Sequence, residues 1–217
     1  MKNIIQNIRR LFFDNSCTCC GEKASDNLIY LCYNCLDKIV RQKSLNKVGD
    51  TYYIWPYKGE FRKLLLEYKN NSRLALGKII SSLIEEEIFK VVYEEDIDYI
   101  VPIPINFRRE QIRGFNQVEE ILKNLNYYFL KTNRIKKNKK MFKILDKEKR
   151  ENNIKNSFKV DKEFKAKNIL IFDDIITTGA TIEEFKRELI KNGEVNKIVV
   201  FSLSASKTYM NSNKRMC

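Results

Sequence analysis

Two groups of residues in this 217-residue chain have types and spacing suited to chemistry. The first is Cys17-Thr-Cys19-Cys20-Gly21, with eleven residues between Cys20 and a second pair, Cys32-Tyr-Asn-Cys35. Taking Cys17, Cys20, Cys32 and Cys35 gives C-x2-C-x11-C-x2-C, so each pair can wrap two sulfurs around one tetrahedral ion. Gly21 permits the tight turn that aims backbone N–H groups at a thiolate. Cys19 is the odd one out, because pairs adjacent or one apart chelate poorly. An all-cysteine tetrahedral site has no open position, so its expected role is structural. Zinc is the expected ion. A four-thiolate iron–sulfur cluster and disulfides are the alternatives, the latter disfavoured by the lack of a secretory signal. A structural zinc supplies on the order of 10 kcal/mol to a module too small for a core of its own.

The second group is Ile169-Leu-Ile-Phe-Asp173-Asp174-Ile-Ile-Thr177-Thr178-Gly179-Ala180-Thr181. It reads as a buried strand ending in two carboxylates, then a hydroxyl-rich turn with one glycine, then a helix start. A helix N-terminus offers unpaired N–H groups and partial positive charge, and Gly179 lets the backbone close on a phosphate. Thr177, Thr178 and Thr181 add hydroxyl donors. Asp173 and Asp174 can accept hydrogen bonds from ribose hydroxyls, and they stand where a magnesium ion held mainly by pyrophosphate would pass. The alternative is an ordinary strand–turn–helix with acidic and threonine caps. The full string favours the nucleotide-like reading, with phosphoribosyl pyrophosphate as the ligand.

The chain contains no histidine. That removes Ser–His and Cys–His nucleophilic chemistry and every His-bearing metal site. Any general base must be Asp, Glu, Lys, Tyr or the substrate. The formal charge of +13 points to anionic partners, and Lys131–Arg150 concentrates it, with ten Lys or Arg against two acids. Lys136, Lys137, Lys139 and Lys140 are the candidate contacts to single-stranded DNA. A solvated loop in a lysine-rich chain is the other reading of the run.

At the start of the chain, Met1–Phe13 places Ile4, Ile5, Ile8, Leu11 and Phe12 at helical spacing. This segment is read as an amphipathic helix packed on the protein, with a surface-seeking helix at a membrane edge as the alternative. No apolar run approaches the ~18–20 residues of a membrane span, so the chain reads as cytoplasmic. Residues 14–45 form the cysteine module. Tyr52–Trp55 reads as a strand, followed by two helical patterns on Phe61–Tyr68 and Leu76–Ile88. The acidic run Glu85–Glu87 is placed near the end of the second, on a solvated face. From Ile97 strands alternate with helices, the pattern of a parallel sheet covered on both faces. Asp98–Pro102 is a strand, Phe115–Leu125 a helix, Lys136–Asn156 a polar segment, Asn168–Phe172 a strand, Thr181–Lys191 a helix and Lys197–Leu203 a last strand. The end, residues 206–217, reads as a polar tail, and fraying is expected from Ser204.

Together with these motifs, four further blocks resemble the ComF family of phosphoribosyltransferase-like competence proteins. They are Tyr57–Arg62 with Leu65, Tyr68 and Lys69; Val101–Ile105; Arg113–Gln117; and Arg150 and Asn153 with Ser157–Phe158. The resemblance spans nearly the whole chain. It implies an α/β fold in which a small N-terminal zinc ribbon precedes a type I phosphoribosyltransferase-like parallel sheet over residues 50–205. It also implies that the loop after Asp98–Pro102, with Pro104, Arg108 and Arg113, faces pyrophosphate. A closing segment carrying Arg150 would precede the signature, so the basic run serves either pyrophosphate or DNA. Such a family further implies DNA uptake in natural transformation, a helicase partner and a place at the inner face of the membrane. Purine-salvage transferases usually have an acidic residue where Thr177 stands, so purine salvage is not favoured. Two readings stay open: a phosphoribosyl pyrophosphate-binding protein of DNA uptake, and an active phosphoribosyltransferase with an unidentified acceptor.

Overall fold

The computed structural model describes residues 16–71, 73–134, 157–160 and 164–213. The expected helix Met1–Phe13 and the basic segment from Lys136 to Asn156 lie outside the described residues. A mostly parallel sheet carries the fold. Its strands are β1 (Asn46–Val48), β2 (Thr51–Pro56), β3 (Tyr99–Pro102), β6 (Phe164–Ile176) and β7 (Gly193–Ala205), in the order β1-β2-β7-β6-β3. Only the β1–β2 hairpin is antiparallel; β2–β7, β7–β6 and β6–β3 are parallel. A two-stranded antiparallel ribbon, β4 (Asn133–Arg134) with β5 (Phe158–Lys159), stands apart from it.

Alternation along β6 shows why the sheet is covered on both sides. Leu170 and Phe172 enter one hydrophobic core, whereas Ile169 and Ile171 enter another on the opposite face. The first core is closed by α1 (Tyr33–Arg41), α2 (Gly59–Asn70), α3 (Leu74–Glu94) and α5 (Gln117–Asn124). The second is closed by α6 (Ala180–Lys191), through Ile182, Phe185 and Leu189, with Phe158 of the ribbon. The cysteine module is continuous with the first core. Trp55 stacks on Phe61 at 3.9 Å and its indole N–H donates to Ile39 O of α1 at 2.9 Å.

Several elements differ from the sequence reading. The helix expected over Phe115–Leu125 is α5, and an unanticipated helix, α4 (Phe107–Arg113), precedes it. Gly114, at φ +81°, ends α4, and the side chains of Asn106 and Asn116 cap the two N-termini. Helix α4 has no buried residue, so it left no apolar period to read. Strand β6 outlasts Phe172, because Asp173, Ile175 and Ile176 stay paired with Ser202, Ser204 and Ala205. The acidic run falls inside α3 rather than near its end. Glu87 there pairs with Lys43 at 2.8 Å, while Glu85 and Glu86 are exposed. Ser204 and Ala205 are buried in β7, and Lys207–Asn213 forms α7 where a frayed tail was expected.

Candidate functional site

The sulfurs of Cys17, Cys20, Cys32 and Cys35 all lie within 4.8 Å of one another, with Cys20 Sγ and Cys32 Sγ 3.7 Å apart. A tetrahedral ion about 2.3 Å from each sulfur sets neighbouring sulfurs about 3.8 Å apart, so the four are close enough together to hold a metal such as zinc. Gly21, at φ +80°, closes the first turn, its N–H donating to Cys17 O at 2.8 Å. The second pair opens a helix instead of a second ribbon turn: Cys32 caps α1, and Cys35 N–H donates to its sulfur at 3.5 Å. Burial works against the Cys17 thiolate, yet N–H groups of Cys20, Cys32 and Cys19 bring the thiol down to about 6. Cys19 stands outside the set; its thiol donates to Glu60 O at 3.4 Å, and Lys63 donates to Cys19 O at 2.6 Å. When bound, such an ion supplies folding energy and no open coordination position.

The acid–threonine loop leaves the carboxyl end of the parallel sheet, where ligands of open α/β sheets sit. Asp173, paired with Ser202, and Asp174 lie near the carboxyl end of β6, before its last paired residues Ile175 and Ile176. Asp174 N–H donates to Asp173 Oδ1 at 2.8 Å, and Lys69 Nζ at the end of α2 binds Asp174 Oδ2 at 2.7 Å. Burial, then the charge of Asp174, pushes the Asp173 carboxyl up to about 7, against the pull of Asp174 N–H, Lys69 and Arg134. Gly179 takes φ +80° and forms the N-cap of α6. The first-turn N–H groups of α6 point out of the loop with no intrahelical acceptor. Thr177 is exposed, Thr178 and Thr181 are half-buried, and Ala180 is buried against the second core.

Helix α7 supports the loop from behind. Ser206 Oγ donates to Thr177 O at 2.7 Å and Ser206 N–H to Ile176 O at 2.8 Å. The Tyr209 hydroxyl donates to Thr51 Oγ1 at 2.9 Å, and its ring lies 3.4 Å from where a side chain at Gly179 would begin. Sequence reasoning missed this buttress because Ser206 and Tyr209 sit in a short polar stretch without period.

The loop after β3 lies beside the acid pair, since Ile103 N–H donates to Phe172 O at 2.9 Å. Pro104 is buried there, and Arg108 is exposed at the start of α4. Arg113 is half-buried near Asp174, with Arg109 one turn earlier on the same face. Arg134 comes from β4, its guanidinium 5.2 Å over the ring of Phe158. Lys69 entered the sequence reading only within a family block, and Arg109 and Arg134 did not enter it as site residues. Four-residue spacing of Arg109 and Arg113 was the available signal. Arg150, Lys136, Lys137, Lys139 and Lys140 lie outside the described residues. Among the described residues no helix is long and apolar enough to cross a membrane.

No family model matches the chain. It is similar to DNA utilization protein YhgH of Escherichia coli (strain K12), 26% identical over 186 residues, which cover 82% of this chain and 78% of that protein. It is 30% identical over 161 residues to Competence protein ComFC of Streptococcus pneumoniae, covering 69% of this chain and 66% of the relative. Against Competence protein F of Haemophilus influenzae the identity is 25% over 198 residues, 85% of this chain and 83% of that protein. On these relatives, with the blocks quoted above, the chain belongs to the ComF family.

Proposed function

We propose that this protein binds phosphoribosyl pyrophosphate, with its magnesium, on the β6–α6 loop and serves DNA uptake through single-stranded DNA. The observation that carries the sugar-phosphate reading is the arrangement at the end of β6. An acid pair stands beside a helix N-terminus that glycine closes in the left-handed conformation. Asp173 and Asp174 accept from the ribose hydroxyls, and the N–H groups of Thr177–Thr181 hold the 5-phosphate. Lys69 fixes the position of Asp174 before ligand arrives. Support for the DNA role comes from the relatives named for competence and DNA utilization, and from the charge of +13. The four-cysteine set holds a structural zinc in this reading, and a type I phosphoribosyltransferase-like fold accommodates the strand order.

Calorimetric titration with phosphoribosyl pyrophosphate, with and without magnesium, tests this. Charge-assisted hydrogen bonds are worth roughly 1.5–3 kcal/mol each, so Asp173→Ala with Asp174→Ala weakens binding at least about tenfold. No heat from the wild type at millimolar ligand removes the ligand from the account. Release of pyrophosphate in the presence of any base, amine or nucleic acid selects the transferase over the binding protein.

A further inference from the structure

Helix α3 turns two aromatic rings to water. Phe89 and Tyr93 are 65% and 79% exposed, and the rings stack on each other at 6.4 Å. They fall on the side opposite Ile84, Ile88 and Val91, which are fully buried in the first core. Glu86 and Ser82, one and two turns earlier on that side, are exposed, and Ile79 and Ala75 continue it half-buried toward Arg73. The helix therefore carries an apolar strip beyond the one its own core uses, of the kind that marks a contact surface.

Charge selects what can cover that strip. In a chain of net +13, the exposed charged residues from Glu85 to Asp96 are Glu85, Glu86, Glu94 and Asp96 against Lys90, which pairs with Glu94 at 3.8 Å. Glu87 and Glu95 are turned elsewhere: Glu87 binds Lys43, and Glu95 binds Lys47 and Lys197. An acidic surface with aromatic rings repels a phosphate backbone and suits a basic amphipathic helix. Met1–Phe13 has that composition: Lys2, Arg9 and Arg10 stand among Ile4, Ile5, Ile8, Leu11 and Phe12, with no acid before Asp14.

The segment also has the reach. It lies outside the described residues, which begin at Ser16, and Thr18 is tied to the start of α3 because its Oγ1 accepts from Arg73 Nη1 at 3.1 Å. Phe89 follows Arg73 by sixteen residues, about 24 Å along the helix axis. Thirteen helical residues span about 20 Å, and Asp14 with Asn15 adds up to about 7 Å.

We propose that the α3 face around Phe89 and Tyr93 is the docking surface for this chain's own Met1–Phe13, laid antiparallel along α3 with Ile4 and Ile5 on the rings and Arg9 and Arg10 beside Glu85 and Glu86. The segment is then held on the protein, with its apolar residues withheld from a membrane surface. This surface is independent of the ligand read for the β6–α6 loop.

Photocrosslinking of the full chain carrying Phe89→benzoylphenylalanine tests the contact. The main product should be a crosslink within one chain to residues 1–13. Crosslinks that join two chains, or that miss the segment, overturn the proposal. Trypsin cleavage after Arg9 and Arg10, followed by intact mass, measures how tightly the segment is held. Phe89→Ser with Tyr93→Ser should speed that cleavage about tenfold, and Glu85→Lys with Glu86→Lys several-fold. All four side chains are exposed, so the core is untouched in both variants. Cleavage as fast in the wild type as in the variants overturns the docking. Anionic phosphatidylglycerol vesicles supply the last arm: the Phe89→Ser, Tyr93→Ser variant should bind them more tightly than the wild type does. Equal binding by the two assigns Met1–Phe13 to the membrane and overturns the proposal.

Discussion

Replacing Asp173 with Asn should stabilise the protein at alkaline pH while impairing ligand binding. In the wild type the Asp173 carboxyl is raised to about 7, so the folded state holds a proton there that the unfolded chain has already lost. Folding stability therefore falls as pH rises from about 4 through about 7, and it stays at the lower value above that. The rise from the ordinary carboxylate value to about 7 corresponds to about 4 kcal/mol as an upper bound. Asp173 still reaches solvent, and screening reduces this to about 1–2 kcal/mol. Asn keeps the shape, can still accept from Asp174 N–H, and cannot ionise beside Asp174. At pH 8 the variant should melt about 2–8 °C above the wild type, at about 2–4 °C per kcal/mol for a chain of this size. At pH 5 the gain should largely vanish, because the wild-type carboxyl is then protonated in the fold. Thermal unfolding at the two pH values, with titration of phosphoribosyl pyrophosphate on the same samples, reads both effects. A variant that melts lower than the wild type at both pH values, or by the same margin at both, refutes the reasoning.

Three further outcomes follow from other parts of the molecule. Cys35→Ser should lose most of the zinc and unfold the N-terminal module, whereas Cys19→Ser should keep about one zinc per chain; elemental analysis of reductant-grown protein decides it, and absence of zinc from the wild type contradicts the cysteine geometry. Tyr209→Ala removes the ring beside Gly179 and the bond to Thr51, and should cost about 2 kcal/mol of stability and several-fold in ribose 5-phosphate affinity, with Tyr209→Phe milder in both. Reversing Lys136, Lys137, Lys139 and Lys140 to Glu should weaken single-stranded DNA binding and flatten its salt dependence, whose slope is near −0.7 per phosphate neutralised; unchanged binding assigns the run to solubility or to pyrophosphate.

Much of the site was legible in the sequence because local patterns carry it. The spacing of Cys17, Cys20, Cys32 and Cys35 places four sulfurs together whatever the rest of the fold does, and the separate environment of Cys19 follows from the same geometry. The apolar run Ile169–Phe172 is buried on both faces of the sheet, so strand β6 and the loop after it could be placed from composition alone. The extension of β6 through Asp173–Ile176 could not, because it depends on partners in β7 almost thirty residues away. Helix α4 escaped notice for the opposite reason: it packs nothing into the core, so only its Asn106 cap and Gly114 terminator mark it. Lys69, Arg134 and Tyr209 reach the loop from three separate elements, and no spacing in the chain links them.

Whether the β6–α6 loop holds the phosphorylated end of a ribose is read residue by residue from amide chemical shifts. On adding phosphoribosyl pyrophosphate and magnesium to the isotope-labelled full chain, the largest changes should fall at the amides of Thr177, Thr178, Gly179, Ala180 and Thr181, with Asp174 following. A silent loop at saturating ligand, or changes confined to other surfaces, would contradict it.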